Sequence, residues 1–423
     1  MFENVLGQPV ISLLREDIRG LKLAPSLLFS GPPASGKGSA ALELGRILSC
    51  ENQAPTGALA PWNCVCPACT RHRQLTHPDL LLLGPRSFSA EIAASAAAFL
   101  RDHQVNATRF LFIRSVRKLL ARFSPVLWEG DSDIRKLNPL IQSLDEGLDE
   151  IGITDTGSLQ KTVEGILKNS FKLEAEGVGA LIPVAHIRRA SFWSRLAPQG
   201  KRKLLVIENA DRMKDEARNS LLKILEEPPK TVTIVLTTAL KDALLPTILS
   251  RLRPYRFMAR DKAVEAEVLR KIFRDLDAPS VPIQSYLDSF LPISGETLYP
   301  LAALFVASVA RGSGNTLLEK HTAPIAESAG LGRPCEDIKS LSAAVLKGAD
   351  NFVIRSRFSQ FLRFLLTLVG ESLNTASLDA ATCRDIWRAA VREAETSVGT
   401  YNLSPALALD RLAWELREAM TQR

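Results

Sequence analysis

The run Gly31-Pro-Pro-Ala-Ser-Gly36-Lys37-Gly38 constrains this chain more than any other. It follows an apolar segment, Ser26-Leu-Leu-Phe-Ser30, and opens an Ala/Leu-rich stretch over 37–49. Strand, glycine-rich turn and helix in that order form the setting in which G-x-x-x-x-G-K-[ST] cradles phosphate. Its glycines let backbone N–H groups face phosphate oxygens, the helix N-terminus favours negative charge, and the lysine adds a point charge. Gly31, Gly36 and Lys37 are therefore the candidate nucleotide contacts. The last position departs from the pattern, with Gly38 where a hydroxyl should ligate Mg²⁺. The next hydroxyl, Ser39, lies about 100° further round a helix and does not replace it. Tight ATP binding is not expected.

Further along, Leu80-Leu-Leu-Leu83, Leu204-Leu-Val-Ile207 and Val232–Thr238 read as strands, separated by helical patterns. This alternation implies an α/β fold with a mostly parallel sheet covered on both faces. A hydrolysing site needs a second motif, an apolar strand ending in Asp-Glu, whose carboxylates manage metal and water. Here Leu204-Leu-Val-Ile ends in Glu208-Asn209. Glu208 is a candidate metal contact; Asn209 carries no charge and is no base. Two defects at the metal and water positions argue against hydrolysis by this chain.

Three segments in sequence now resemble consecutive motifs of bacterial DNA polymerase III clamp-loader subunits. They are Glu208-Asn-Ala-Asp211-Arg-Met213, Asn219-Ser-Leu-Leu-Lys-Ile-Leu-Glu-Glu-Pro-Pro229 and Leu245-Pro-Thr-Ile-Leu-Ser250-Arg251. Phe2-Glu-Asn-Val-Leu-Gly-Gln8, His77-Pro78-Asp79 and Tyr401-Asn-Leu-Ser-Pro405 are similar to the same family. The resemblance implies an AAA+ P-loop domain over 1–260, a small helical lid domain over 261–330 and a helical collar domain over 331–423. It also implies a pentameric ring with other clamp-loader subunits, which opens the sliding clamp and sets it on primed DNA. In that family the Ser-Arg motif presents an arginine to the neighbour's ATP, a catalytic role in trans that falls on Arg251; the plainer reading is a surface arginine after a turn. The family's γ-phosphate sensor falls on Thr237 or Thr238, or these simply end a β-branched strand. No sensor arginine stands out in 261–330. Lost hydrolysis with a retained finger is the delta-prime pattern; the alternative is an ATP-hydrolysing gamma/tau-type subunit.

Of six cysteines, Cys50, Cys64, Cys66 and Cys69 fall in one stretch, C-x₁₃-C-x-C-x₂-C. Such spacing suits a closed structural Zn²⁺ site, within a module over about 50–79. The family usually has two residues, not one, between the second and third cysteines, and free thiols or a substituting His72 or His77 are the alternatives. Cys335 and Cys383 read as isolated core residues. Residues of about 90–180 form a helical insert without a recognised counterpart. Its Arg101, Arg109, Arg114, Arg117, Lys118 and Arg122, interleaved with Phe110, Phe112 and Phe123, read as a solvated basic face or a DNA contact. A formal net charge of +7 suits nucleic acid or an acidic partner without requiring either. Amphipathic helices are expected over 352–372, with Phe352, Phe358, Phe361, Phe364 and Leu365 apolar, and over 383–420. The first residues lack a basic start and an apolar run, and no membrane span is apparent, so the expected location is cytoplasmic.

Overall fold

The computed structural model of the chain describes residues 1–52, 60–151, 156–179, 181–278, 281–291, 295–331, 351–373, 378–400 and 403–421. Cys335, the Phe352 side chain, Tyr401 and Asn402 lie outside the described residues. The chain divides into two compact units, Met1–Leu291 and Pro292–Arg423. That boundary falls inside the 261–330 stretch expected as one domain.

The first unit is built on five parallel strands: β1 (Ser26–Ser30), β2 (Leu80–Leu83), β3 (Lys203–Ile207), β4 (Val232–Thr238) and β5 (Arg253–Arg256). Their order is β2-β3-β4-β1-β5. The first, third and fourth are buried at every residue, which explains their unbroken apolar and β-branched sequences. The last, Arg-Pro-Tyr-Arg, buries only Tyr255 and pairs solely with β1, an edge setting in which a strand tolerates proline. Its proline and two arginines hide it from a pattern search.

The helices of this unit are α1 (Val10–Arg19), α2 (Lys37–Ser49), α3 (Pro67–Gln74), α4 (Ser89–Arg101), α5 (Asn106–Leu120), α6 (Ile134–Glu150), α7 (Thr156–Gly177), α8 (Val184–Arg195), α9 (Asp215–Glu226), α10 (Pro246–Leu249), α11 (Lys262–Ile272) and α12 (Ile283–Asp288). One sheet face packs on α1 and α2 through Leu27, Phe29, Leu44, Ile47 and Val206; the other packs on α8 and α9 through Leu28, Leu205, Ile187 and Leu221. Tyr255 Oη donates to Asp17 Oδ2 at 2.6 Å and fixes α1 to the edge strand. The insertion has its own core: Phe88, Phe99, Phe112, Leu119, Phe123, Leu144, Val163 and Leu173 bring α4 to α7 together. Val268, Leu269, Phe273, Ile283 and Tyr286 pack α11 and α12 against α4.

The second unit contains α13 (Gly295–Gly312), α14 (Thr316–Ser328), α15 (Asn351–Ser372), α16 (Leu378–Thr400) and α17 (Pro405–Thr421). They share one core that includes Phe305, Leu318, Phe358, Phe361, Leu365, Trp387 and Leu412, so the amphipathic patterns of the C-terminal third become helix-on-helix packing. Phe364 and Cys383 pack at its margin. No helix among the described residues is long and apolar enough to cross a membrane.

Candidate nucleotide site, cysteine cluster and exposed arginine

The phosphate-loop sequence lies where β1 ends and α2 begins, between β4 and the edge strand β5 at the strands' C-terminal ends. Open parallel sheets place ligands at this end. Gly36 has φ +94, the left-handed region that favours glycine, and directly precedes Lys37. Gly31 also has a positive φ, +151, and lies close against the Phe257 carbonyl. The Lys37 ammonium is spent on its own loop: Nζ donates to Gly31 O at 2.6 Å and Pro32 O at 2.5 Å. Burial pulls its pKa down to about 8 against the pull of Glu208 and Asp211.

Gly38 faces the end of β3. A Cβ built on Gly38 would stand 2.8 Å from Glu208 Oε1. That carboxylate is not free: Arg86 Nη1 reaches Oε1 at 3.4 Å, and Arg122 Nη2 pairs with Oε2. Burial raises the Glu208 pKa, but Arg86 and Arg122 outweigh it and hold the carboxyl below its usual range. Glu91 accepts from both Arg86 and Lys118. Asn209, in left-handed conformation, donates to Pro85 O at 2.7 Å and so holds a turn together. The Thr238 hydroxyl donates to Asp211 Oδ1 at 2.5 Å and accepts from Leu240 N. Thr237 is buried at the same strand end.

The residues do not fit a magnesium–nucleotide complex. The hydroxyl ligand is missing, the carboxylate that remains is held by two guanidinium groups, and no base follows it. Motif matching misses Arg86, Arg122 and also Arg260, whose guanidinium donates to Leu6 O at 3.1 Å and to the Ala34 carbonyl of the loop. Arg260 lies immediately before the 261–330 stretch. Nor do Arg114, Arg117, Lys118 and Arg122 form a solvated face. Arg114 and Arg117 donate to the carbonyls of His72, Arg73 and Gln74 at the C-terminus of α3, where the helix dipole favours positive charge. Arg101 pairs with Asp275 at 3.1 Å.

The four clustered cysteines come together as their spacing suggested. Their sulfurs all lie within 4.8 Å of one another, and each is buried. A tetrahedral site with Zn–S of about 2.3 Å has S···S edges of roughly 3.8 Å; Cys50 and Cys64 sulfurs stand 3.7 Å apart. The single residue between Cys64 and Cys66 is no obstacle, because Cys66 caps α3 and Pro67 opens it, which turns the chain back at once. His72 and His77 stack on each other at 4.2 Å and stand outside the ligand cluster. Buried Arg46 donates to Cys69 Sγ at 3.2 Å, is held by Glu43 at 2.7 Å, and also reaches the carbonyls of Ala60 and Pro61. Burial and the neighbouring thiols push the Cys69 thiol up, whereas backbone and thiol hydrogen bonds outweigh burial and bring Cys66 down to about 7. Thiols this close ionise together only around a cation, and the donor set fits structural zinc.

Arg251 follows α10 and lies about one-third exposed. Nη2 donates to Glu226 Oε1 at 2.9 Å and Nη1 to Thr247 O at 2.7 Å. The plane of the guanidinium is thus fixed while part of it still faces outward.

A family model described as "DNA polymerase III, delta subunit" matches residues 157–261, from α7 past β5. Bacillus subtilis DNA polymerase III subunit delta' is 39% identical over 80 residues, covering 19% of this chain and 24% of its own. The Pseudomonas aeruginosa subunit delta' is 30% identical over 141 residues, 33% of this chain and 43% of its own. Mycobacterium bovis subunit gamma/tau is 29% identical over 86 residues, 20% of this chain and 14% of its own. Each match spans less than half of the relative's length. The matched stretches contain the motifs noted in the sequence, so over them the chain is similar to DNA polymerase III delta' and gamma/tau subunits.

Proposed function

We propose that this chain is a delta-prime-type subunit of the bacterial clamp loader, which hydrolyses no ATP itself and lends Arg251 to the ATP of a neighbouring subunit. One observation carries this reading. The chain's own metal position is filled by Glu208 and two guanidinium groups, while Arg251 stands outward on a carboxylate-braced mount. A guanidinium supplied in trans neutralises the charge that shifts during phosphoryl transfer, an effect of about 10³–10⁵ in rate. On this reading residues 1–260 act as an AAA+ domain, 261–330 as its lid and 331–423 as the collar of a hetero-pentameric ring. That ring would act on the sliding clamp and primed DNA. The cysteine cluster would hold Zn²⁺ as a structural clip, since four thiolates leave no open position for catalysis.

The mycobacterial gamma/tau matches favour a second reading, an ATP-hydrolysing motor subunit. Equilibrium binding of ATP with Mg²⁺ to the purified chain separates the two. The delta-prime reading expects no saturable binding in the micromolar range and no turnover. Micromolar binding with Mg²⁺-dependent hydrolysis would select the motor subunit.

A further inference from the structure

We propose that Arg86 and Arg122 are a built-in replacement for the divalent cation: they neutralise Glu208 at the metal position and close this site to Mg²⁺ and metal-chelated nucleotides. The inference rests on reading residues 31–38 as a phosphate loop, and not on any role of Arg251.

In a phosphate-loop site the last hydroxyl of the loop and a carboxylate on a neighbouring strand share one Mg²⁺. Here those partners are Gly38 and Glu208. The carboxylate occupies the space of a side chain at 38, with Oε1 2.8 Å from where a Cβ would stand, and Arg86 Nη1 is 4.0 Å from the same point. Gly38 is therefore a fit rather than a loss: no side chain enters while Glu208 is drawn there. The guanidinium groups are themselves built in. Their central carbons lie over the ring of fully buried Phe88, at 5.2 Å for Arg86 and 5.3 Å for Arg122. The backbone after Arg86 is fixed by Glu174 of α7, whose carboxylate accepts from Phe88 N at 3.0 Å and Ser89 N at 2.8 Å.

Arg86, Lys118 and Arg122 face Glu91 and Glu208, with Glu174 tied to backbone and Arg114 directed at α3. An arriving dication would meet cations already seated against both carboxylates. To enter, it must leave buried guanidinium groups unpaired, which is costly. The segment before α4 and the turn after α5 thus deliver counter-charges that hold Glu208 without a metal.

The test uses the full chain, thermal unfolding, and calorimetric titration with Mg²⁺ alone. The zinc-loaded wild type is expected to give no binding heat and the same midpoint with and without millimolar Mg²⁺, in buffer free of chelator. Arg122→Gln and Glu208→Gln should each lower the midpoint, on the order of 10 °C, and the double variant should be no worse than the worse single. Gly38→Thr should destabilise alone and be tolerated with Glu208→Ala. If Arg122→Gln does not fold, the Gly38–Glu208 pair and the wild-type titration still decide. Specific Mg²⁺ uptake that Glu208→Gln abolishes would overturn the proposal, as would additive effects in both pairs. A metal-free wild type with additive variants would leave the non-hydrolysing reading standing and remove the guanidinium pair as its cause.

Discussion

Glu226 Oε1 accepts a 2.9 Å bond from Arg251, and so joins the Leu-Glu-Glu-Pro-Pro segment at the end of α9 to the Ser-Arg segment after α10. The two motifs are separate in sequence and act as one mount. The pair is exposed on both sides, so it is worth only about 0–1 kcal/mol to the fold. On the proposed reading its value is positional. Glu226→Gln is expected to leave the unfolding midpoint within about 2 °C. It should lower the ATPase of a reconstituted assembly several-fold, less than loss of Arg251 itself. A large loss of stability would mean that Glu226 supports the fold and not the arginine.

Metal analysis of the purified chain is expected to find about one zinc per molecule, lost on Cys69→Ser. The Arg46 fork onto Cys69 makes a second prediction. Arg46→Lys keeps a charge beside Glu43 but loses the planar fork, and should weaken zinc about 10–100-fold in a chelator competition. Unchanged affinity would remove Arg46 from the zinc site.

Acid should weaken the insertion through Glu91. Burial raises the Glu91 pKa, but Lys118 and Arg86 overcome it and bring it from 4.5 to about 2. A depressed carboxyl contributes stability that is fully present above its unfolded value. That contribution is lost as pH falls from 4.5 towards 2. Denaturation midpoints of wild type and Glu91→Gln should therefore differ most near neutral pH and converge as pH approaches 2. A constant gap across that window would show that Glu91 acts through packing alone.

How far the sequence revealed this arrangement depended on whether a feature was local. The phosphate loop, the missing hydroxyl at Gly38, the uncharged Asn209 and the cysteine cluster were all legible, because each is a short pattern with a fixed spacing. The strand at 253–256 was not, since Pro254 and two arginines give it neither alternation nor an apolar run, and only its edge position makes it possible. The arginines of α5 and the turn after it were misread for a different reason. Helical periodicity marks a basic face but not what that face meets: Arg122 finds Glu208 at a sequence separation of 86, and Arg114 finds α3 at 41 and 42. Such long-range pairings leave no trace in a window.

The second unit makes its own prediction. Trp387 is fully buried, and its Nε1 has no hydrogen-bond partner among the described residues. Trp387→Ala should cost about 3–5 kcal/mol in denaturant unfolding. Trp387→Phe should cost much less, since it removes an unsatisfied donor along with volume. Equal losses for the two would mean that the indole N–H is bonded in solution.

Donor and recipient roles separate in a single comparison, the steady-state ATPase of the reconstituted clamp loader carrying either Arg251→Ala or Lys37→Ala in this chain. The account predicts that Arg251→Ala lowers turnover about 10³-fold or more at the site it serves, whereas Lys37→Ala leaves turnover unchanged. The reverse pattern, activity lost with Lys37 and kept without Arg251, would contradict it.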